Sequence, residues 1–348
     1  MTRSDTEDLP TLRQWLDGLD DHPLLWFFEP RRELHPMVEY AWWRNPILMA
    51  VEETLLHLER AQPVGLGKKR REFRTFKGKN NDGVESLDPL RSELIVGSLL
   101  AEAGVPFRFN TSAGPDILLG AAVTSFAIEI GMRRPKSLSE LSRRLMRGLK
   151  QRGLPHAVSI STDPIPPVAI RTAVQDAIVE QFLPADGSRG VTSLRTIAAP
   201  ARPELGIPDS WVTIRVSNDR GTTSTEAPWK SPHMKAVAQE VAKNILRDNR
   251  KQTQAKSCPT ILIADLTGGD LPDTRYWNDV FDSIWQPDDG YLAVAAMTWL
   301  NTNRMPTLAF SLNPFADQGS VRDVASLLEP VPGFHDLGDR LAGRKRRQ

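Results

Sequence analysis

Three carboxylates stand out by type and position: Glu93, Asp116 and Glu129. Glu93 falls in a helical run, Asp116 follows Pro115 at the mouth of a strand, and Glu129 interrupts the apolar run Phe126-Ala127-Ile128 before Ile130. A carboxylate inside so apolar a strand is expensive unless it is paired or bound to a metal. A tight hairpin between Asp116 and Glu129 brings both side chains to one face of a small sheet. Glu93, on a helix beside that sheet, adds a third oxygen or a water contact. Such a trio suits a hard divalent ion held with open positions left over. That ion neutralises phosphoryl oxygens and makes a water nucleophilic, which is the chemistry of phosphodiester hydrolysis.

The elements that must position these groups are legible in the pattern. Asp88-Pro89 predicts a clean helix start, with Asp as N-cap and Pro in the first turn. Leu90, Leu94, Leu99 and Leu100 mark its apolar face and Gly104 its end. Short strands are expected over 105–109, 116–119 and 125–131, then a helix over 137–151 and a strand over 156–161. The order is helix, three strands, helix, strand. Beyond it the pattern predicts helices over 171–182 and 232–252. Strands are expected over 194–198, 211–216, 261–265, 291–300 and 307–312.

Ser92-Glu93-Leu94, Pro115-Asp116-Ile117-Leu118 and Ala127-Ile128-Glu129-Ile130-Gly131 together resemble the PD-(D/E)xK nuclease superfamily. The resemblance covers roughly residues 86 to 162. It implies an α/β fold with a restriction-endonuclease-like αβββαβ core, a mixed sheet, and an added N-terminal helical region. It also implies that Asp116, Glu129 and the carbonyl of Ile130 bind Mg²⁺ or Mn²⁺, with Glu93 assisting. The family's lysine, two residues beyond the glutamate, falls on Gly131. Either a basic residue from elsewhere supplies that charge, with Arg133 and Lys136 nearest in sequence, or the fold has kept binding and lost turnover. Arginine stays charged and is a poor base, so Arg133 would stabilise the phosphoryl group without taking a proton. DNA is the expected substrate, with Arg133, Arg134 and Lys136 neutralising phosphate.

Bulk properties are compatible with this. The net charge is +1, which by itself argues neither for nor against nucleic acid, but the charge is segregated. Lys68, Lys69, Arg70, Arg71, Arg74, Lys77 and Lys79 crowd one stretch, and Arg133 to Arg152 carries another basic run. Residues 63 to 85, rich in Gly, Asn and cations, are expected to be a linker, either an exposed basic loop or a clamp on a DNA backbone. The domains expected are an N-terminal helical region with this linker over 1–84, the α/β domain over 85–335, and a basic tail over 336–348. Four of the nine tryptophans (Trp15, Trp26, Trp42, Trp43) lie in the N-terminal region, which suggests a packed helical layer available to a protein partner.

A single cysteine, Cys258, permits no internal disulfide and no thiolate metal site, pointing to a reducing compartment and a cytoplasmic protein. Cys258 is expected to be a small buried residue. The acidic, polar start is no signal peptide, and no apolar run is long enough to span a bilayer. The six histidines show no ligand spacing. Each carboxylate also has a plainer reading. Asp116 is a turn residue by type, and Glu93 suits a first helical turn. Glu129 is the hardest to explain without a partner. Asp265, before Thr267-Gly268-Gly269, reads as a strand end leading into a turn. The rival functional readings are a turnover-free module that binds nucleic acid or protein, and a scaffold working through its aromatic helices.

Overall fold

The structure is a computed structural model. It describes residues 9–28, 46–79, 81–120, 126–132, 137–154, 157–163, 172–183, 194–199, 209–217, 224–226, 234–248, 258–267, 274–299 and 305–345, with a few isolated residues between them. In chain order the helices are α1 (Pro10–Leu16), α2 (Pro46–Ala61), α3 (Leu66–Phe73) and α4 (Asn81–Glu102). Strands β1 (Phe107–Phe109), β2 (Ile117–Leu119) and β3 (Phe126–Met132) follow, then α5 (Ser137–Gln151), β4 (Ala157–Asp163) and α6 (Thr172–Phe182). Next come β5 (Leu194–Ala199), β6 (Ser210–Ser217), β7 (Ser224–Glu226), α7 (Met234–Leu246), β8 (Thr260–Asp265) and α8 (Thr274–Asp282). The chain ends with β9 (Tyr291–Thr298), β10 (Thr307–Leu312), α9 (Gln318–Leu328) and α10 (His335–Lys345). Among the described residues no helix is long and apolar enough to cross a membrane.

The chain forms two compact units. One comprises residues 1–132, 245–267 and 281–348, the other 133–244 and 268–280. The first holds a mixed six-stranded sheet in the order β1-β2-β3-β8-β9-β10. Strands β1, β2 and β3 form an antiparallel meander, β8 and β9 continue it in parallel, and β10 closes antiparallel on β9. The interior strands read as continuous apolar runs because both their faces are covered. Every residue of β8 is buried, as is all of β9 but its last residue.

Two expectations are corrected here. The helix and strand expected to complete the core, α5 and β4, do not join this sheet. β4 lies in a separate four-stranded sheet, β5-β6-β4-β7, and the strand beside β3 is β8. A parallel neighbour requires a crossover of a dozen residues or more, with no upper limit, so adjacency in sequence does not predict adjacency in the sheet. Nor does residue 84 separate two compact bodies. Leu12, Trp15, Leu55, Leu58, Leu66 and Phe73 share one core with Ile117, Ile128, Ile263 and Phe310.

The expected linker is α3 with the start of α4, which begins at Asn81 and carries Pro89 inside it. Arg70 of α3 and the following Arg74 bridge to α1. Arg70 donates to the Gln14 carbonyl at 2.9 Å, and Arg74 to the carbonyls of Trp15 and Asp17 at 2.7 and 2.8 Å, satisfying the end of α1. The start of α1 has no capping side chain of its own. Buried Glu52 of α2 supplies the acceptor, taking the N–H groups of Thr11 and Leu12 at 3.1 and 2.6 Å.

In the second unit Leu141, Leu145 and Leu149 of α5 pack with Val158, Ile160, Val212 and Ile214 of the sheet and Ile178 and Phe182 of α6. Part of the basic side of α5 is committed internally. Arg144 pairs with Asp176, Arg143 with Glu140 at 3.5 Å, and Arg152 donates to the Leu183 carbonyl at 3.2 Å.

Burial of His22 yields a pH prediction. Its Nδ1 accepts the Leu24 N–H at 3.3 Å, its Nε2 meets the Phe73 carbonyl at 2.9 Å, and its ring stacks on Phe73 at 4.6 Å. The neutral ring protonated on Nε2 satisfies both bonds. Burial pushes the pKa down from 6.5 to about 4, partly offset by the Phe73 carbonyl. The unfolded chain therefore takes a proton below about pH 6.5 that the folded chain refuses until about pH 4. Stability is complete above 6.5 and lost as the pH falls through that window, by ~1.4 kcal/mol per pH unit at most. Urea unfolding at pH 7 and pH 5 should show about 2 kcal/mol less stability at the lower pH from this group. In His22→Gln that slope should flatten, and an equal slope in the variant would refute the assignment.

Candidate functional site

β2 and β3 pair with Ile117 opposite Ile128 and Leu118 opposite Ala127. One further step of this register sets Asp116 opposite Glu129. Cross-strand neighbours share a face and stand about 5 Å apart at Cβ. Asp116 is fixed there by its Oδ2, which accepts the Ile130 N–H at 2.7 Å. Glu129 is 4% exposed, on an interior strand paired to β8 through Leu262. Its charge reaches buried Tyr291, whose phenol is pushed up by burial first and by Glu129 second. The register is the one that the expected facing of Asp116 and Glu129 requires.

Glu93 approaches differently. Residues alternate faces along a strand, and Ile128 and Ile130 share a core with Leu90 and Leu94 of α4. Glu129 consequently points to the face opposite α4. Asp116, at the entrance to β2, lies between the two glutamates in charge if not in one cage. It is the largest electrostatic contribution after burial to raising Glu93, whose carboxyl is pushed up to about 7 even with Lys69 pulling it down. Among the described residues no three His, Cys, Asp or Glu side chains gather as a ready-made metal cage.

The ammonium of Lys69 is the group that sequence reasoning missed. It ion-pairs with Glu93, and also with Glu72 at 3.2 Å. Only 7% of the residue is exposed, in a helix whose other cations are more open. Burial acts to lower its pKa, but the two glutamates outweigh burial and the net shift is upward. A signal was present. Leu66, Lys69 and Phe73 recur at helical spacing, and all three are buried. Read as one stripe, they place the lysine on the apolar side of a short helix.

Gly65 makes that placement possible. Its φ of 91° is left-handed, and a Cβ there would stand 2.4 Å from the Phe109 carbonyl oxygen. The chain can thus run against β1, where Phe109 N–H meets the Val64 carbonyl at 2.9 Å, and turn directly into α3. Gly97 serves the same end on α4, since a Cβ there would meet the Phe109 ring at 2.5 Å. Both glycines hold the two helices close to the first strand, which fixes where Lys69 and Glu93 meet.

The remaining expected site residues divide as follows. Arg133, Arg134 and Lys136 lie outside the described residues, as do Trp42 and Trp43 and the last three residues of the basic tail. Gly131 stands on β3 on the same face as Glu129 and brings no charge to it. Cys258 is only partly buried, so the buried position expected for it is corrected.

Asp265 is fully buried and tied down. It accepts hydrogen bonds from the hydroxyl of Ser92, from the Trp299 indole at 2.9 Å and from the Thr267 N–H at 2.8 Å. Arg91 lies over the Trp299 ring at 4.5 Å and pairs with Asp88 at 3.3 Å. The network joins α4 to the ends of β8 and β9, so Asp265 anchors the helix that carries Glu93. The turn expected at Asp265 is present in the Thr267 contact, and the ties to Ser92 and Trp299 add a structural role to it.

No protein-family model matches this chain, no curated protein does, and no solved structure does.

Asp265→Ala would leave the buried Thr267 N–H and Trp299 indole without their acceptor, while the Ser92 hydroxyl keeps the Asp88 carbonyl at 3.0 Å, a loss of about 2–4 kcal/mol. Ser92→Ala, which removes one donor and leaves the acid with two, should cost about 1 kcal/mol. Chemical denaturation of both variants checks this, and near-equal losses would contradict the network.

Proposed function

We propose that this chain is a metal-dependent, nuclease-like phosphodiesterase acting on DNA within the cell. The observation that carries the reading is the facing pair Asp116 and Glu129, one of them buried in an interior strand. The antiparallel meander followed by a parallel fourth strand supports a restriction-endonuclease-like core, in which β8 takes the place expected for β4.

The donors suit a hard cation. Two carboxylates and a backbone carbonyl offer oxygen ligands only, which fits Mg²⁺ or Mn²⁺ rather than a thiolate-seeking metal. Asp116, Glu129 and the carbonyl of Ile130 would hold the ion, while Glu93, on the α4 side of the sheet, would stand outside that ligand set. Bound there, the ion would supply charge neutralisation at phosphate and a more acidic water. In the hydrolysis, the water oxygen bonds to phosphorus, the ester P–O bond breaks, and the water's proton ends on the departing oxygen. The Ile130 N–H holds Asp116 oriented for its part. Arg133, Arg134 and Lys136 remain the proposed phosphate contacts.

Gly131 favours a second reading, a module of the same fold that binds nucleic acid or a protein partner without cutting. The two separate in one experiment. Plasmid DNA incubated with Mg²⁺ or Mn²⁺ should be cut by the wild type. Glu129→Ala and Asp116→Asn should each slow cutting by about a thousandfold, toward the upper end for loss of one electrostatic group. Retention of DNA that weakens steeply with salt, with no cutting under either metal, would replace the first reading with the second.

A further inference from the structure

We infer that the outer side of α5 is a docking surface for the phosphodiester backbone of duplex DNA, held through Arg147 and Lys150. The inference concerns binding alone and does not depend on the metal pair, so its failure and that of the cutting reaction are read separately.

α5 turns Leu141, Leu145 and Leu149 into the core of the second unit. At about 100° per residue, Arg143, Arg147 and Lys150 then form one stripe on the opposite side. Arg147 and Lys150 are exposed, and neither makes a hydrogen bond or an ion pair with a described residue. Most other charge on α5 and on α6 beside it is already matched. Glu140 pairs with Arg143 at 3.5 Å, Asp176 pairs with Arg144, and Arg152 holds the Leu183 carbonyl. Against the two open cations stands Glu180, exposed on α6.

The surroundings of this stripe select its occupant. A basic helix that lies in a membrane needs its apolar side for the lipid, and here that side is spent on the core. A protein interface is anchored by a central aromatic or apolar group, and none of the exposed large hydrophobic residues among those described lies on α5. The same lack removes the stacking on which single-stranded nucleic acid relies. Charge complementarity remains. Residues three apart on a helix stand about 5–6 Å from each other, so Arg147 and Lys150 present two neighbouring positive charges on a rigid rod. Duplex DNA offers about one negative charge per 1.7 Å of its axis. Contacts of this kind orient the duplex and carry no sequence information.

The test titrates the full chain, in EDTA so that no metal supports cutting, against a fluorescein-labelled duplex of about twenty base pairs, with anisotropy read at several salt concentrations. The variants are Arg147→Gln/Lys150→Gln, the exchange Arg147→Lys/Lys150→Arg, and a charge-matched control, Lys243→Gln/Arg322→Gln, at two other exposed cations. Both α5 side chains lie outside the core, and circular dichroism verifies folding. The glutamine pair on α5 should bind at least about tenfold more weakly at about 0.1 M salt, with a log–log salt slope shallower by about two. The exchange and the control should keep the wild-type slope. A wild type that does not bind the duplex, an α5 glutamine pair that binds like wild type, or a control weakened as much overturns the inference. Preference for phosphatidylserine vesicles or for a single strand over the duplex overturns it as well.

Discussion

Glu129 occupies a strand whose two faces are both covered, and much of the first unit can be understood from what that demands. Transfer of an ionised carboxylate into such an environment costs several kcal/mol even after relaxation. Its surroundings must therefore be organised. The register with β2 brings Asp116 across from it, the Ile130 amide pins Asp116, and the meander that creates this register is held against α4 by the aliphatic face of Ile128 and Ile130. Pairing to β8 and β9, both apolar through nearly their whole length, holds β3 in a rigid frame.

The electrostatics of the opposite face are set by a different device. There the acid is Glu93 and the compensating charge is Lys69, delivered by a helix that starts at a left-handed glycine pressed against β1. The stretch that looks in composition like a solvated linker is thus one of the most constrained parts of the unit. Its cations cap α1, hold the loop after β1 and neutralise Glu93. This is why a count of basic residues overstates the positive charge offered outward. A cation already paired with a carbonyl or carboxylate contributes less to the field that a phosphate would meet.

The second unit interrupts the chain of the first, whose sheet is continuous. The chain leaves β3 at Met132 and returns to its side at Thr260, having formed four strands and its own apolar core in the interval. The parallel pairing of β3 with β8 tolerates so long an excursion, since closing a longer loop costs only ~0.6 kcal/mol per doubling of its length. A proposed metal pair on β2 and β3 is indifferent to it, because both ligands lie before the excursion begins.

Several features were legible in the residues alone. The apolar alternation around Ile117 and Ile128, the three short strands and the basic amphipathic helix α5 all follow from periodicity, which depends only on local backbone geometry. The register of β2 against β3 was legible too, as hairpin register is set by nearby residues. The helix start at Asp88-Pro89 was not, because packing of Val84 and Leu87 into the core extends α4 past a local stop signal.

By itself, then, the sequence determined an α/β chain and the strand register that sets position 116 opposite 129. Only the tertiary structure decided that β8 completes the sheet, that Glu93 lies across the sheet from Glu129, and that Lys69 answers it. The reason is range: periodicity and turns act over a few residues. The partner of a buried charge and the neighbour of a parallel strand are chosen by long-range packing, which no local pattern encodes.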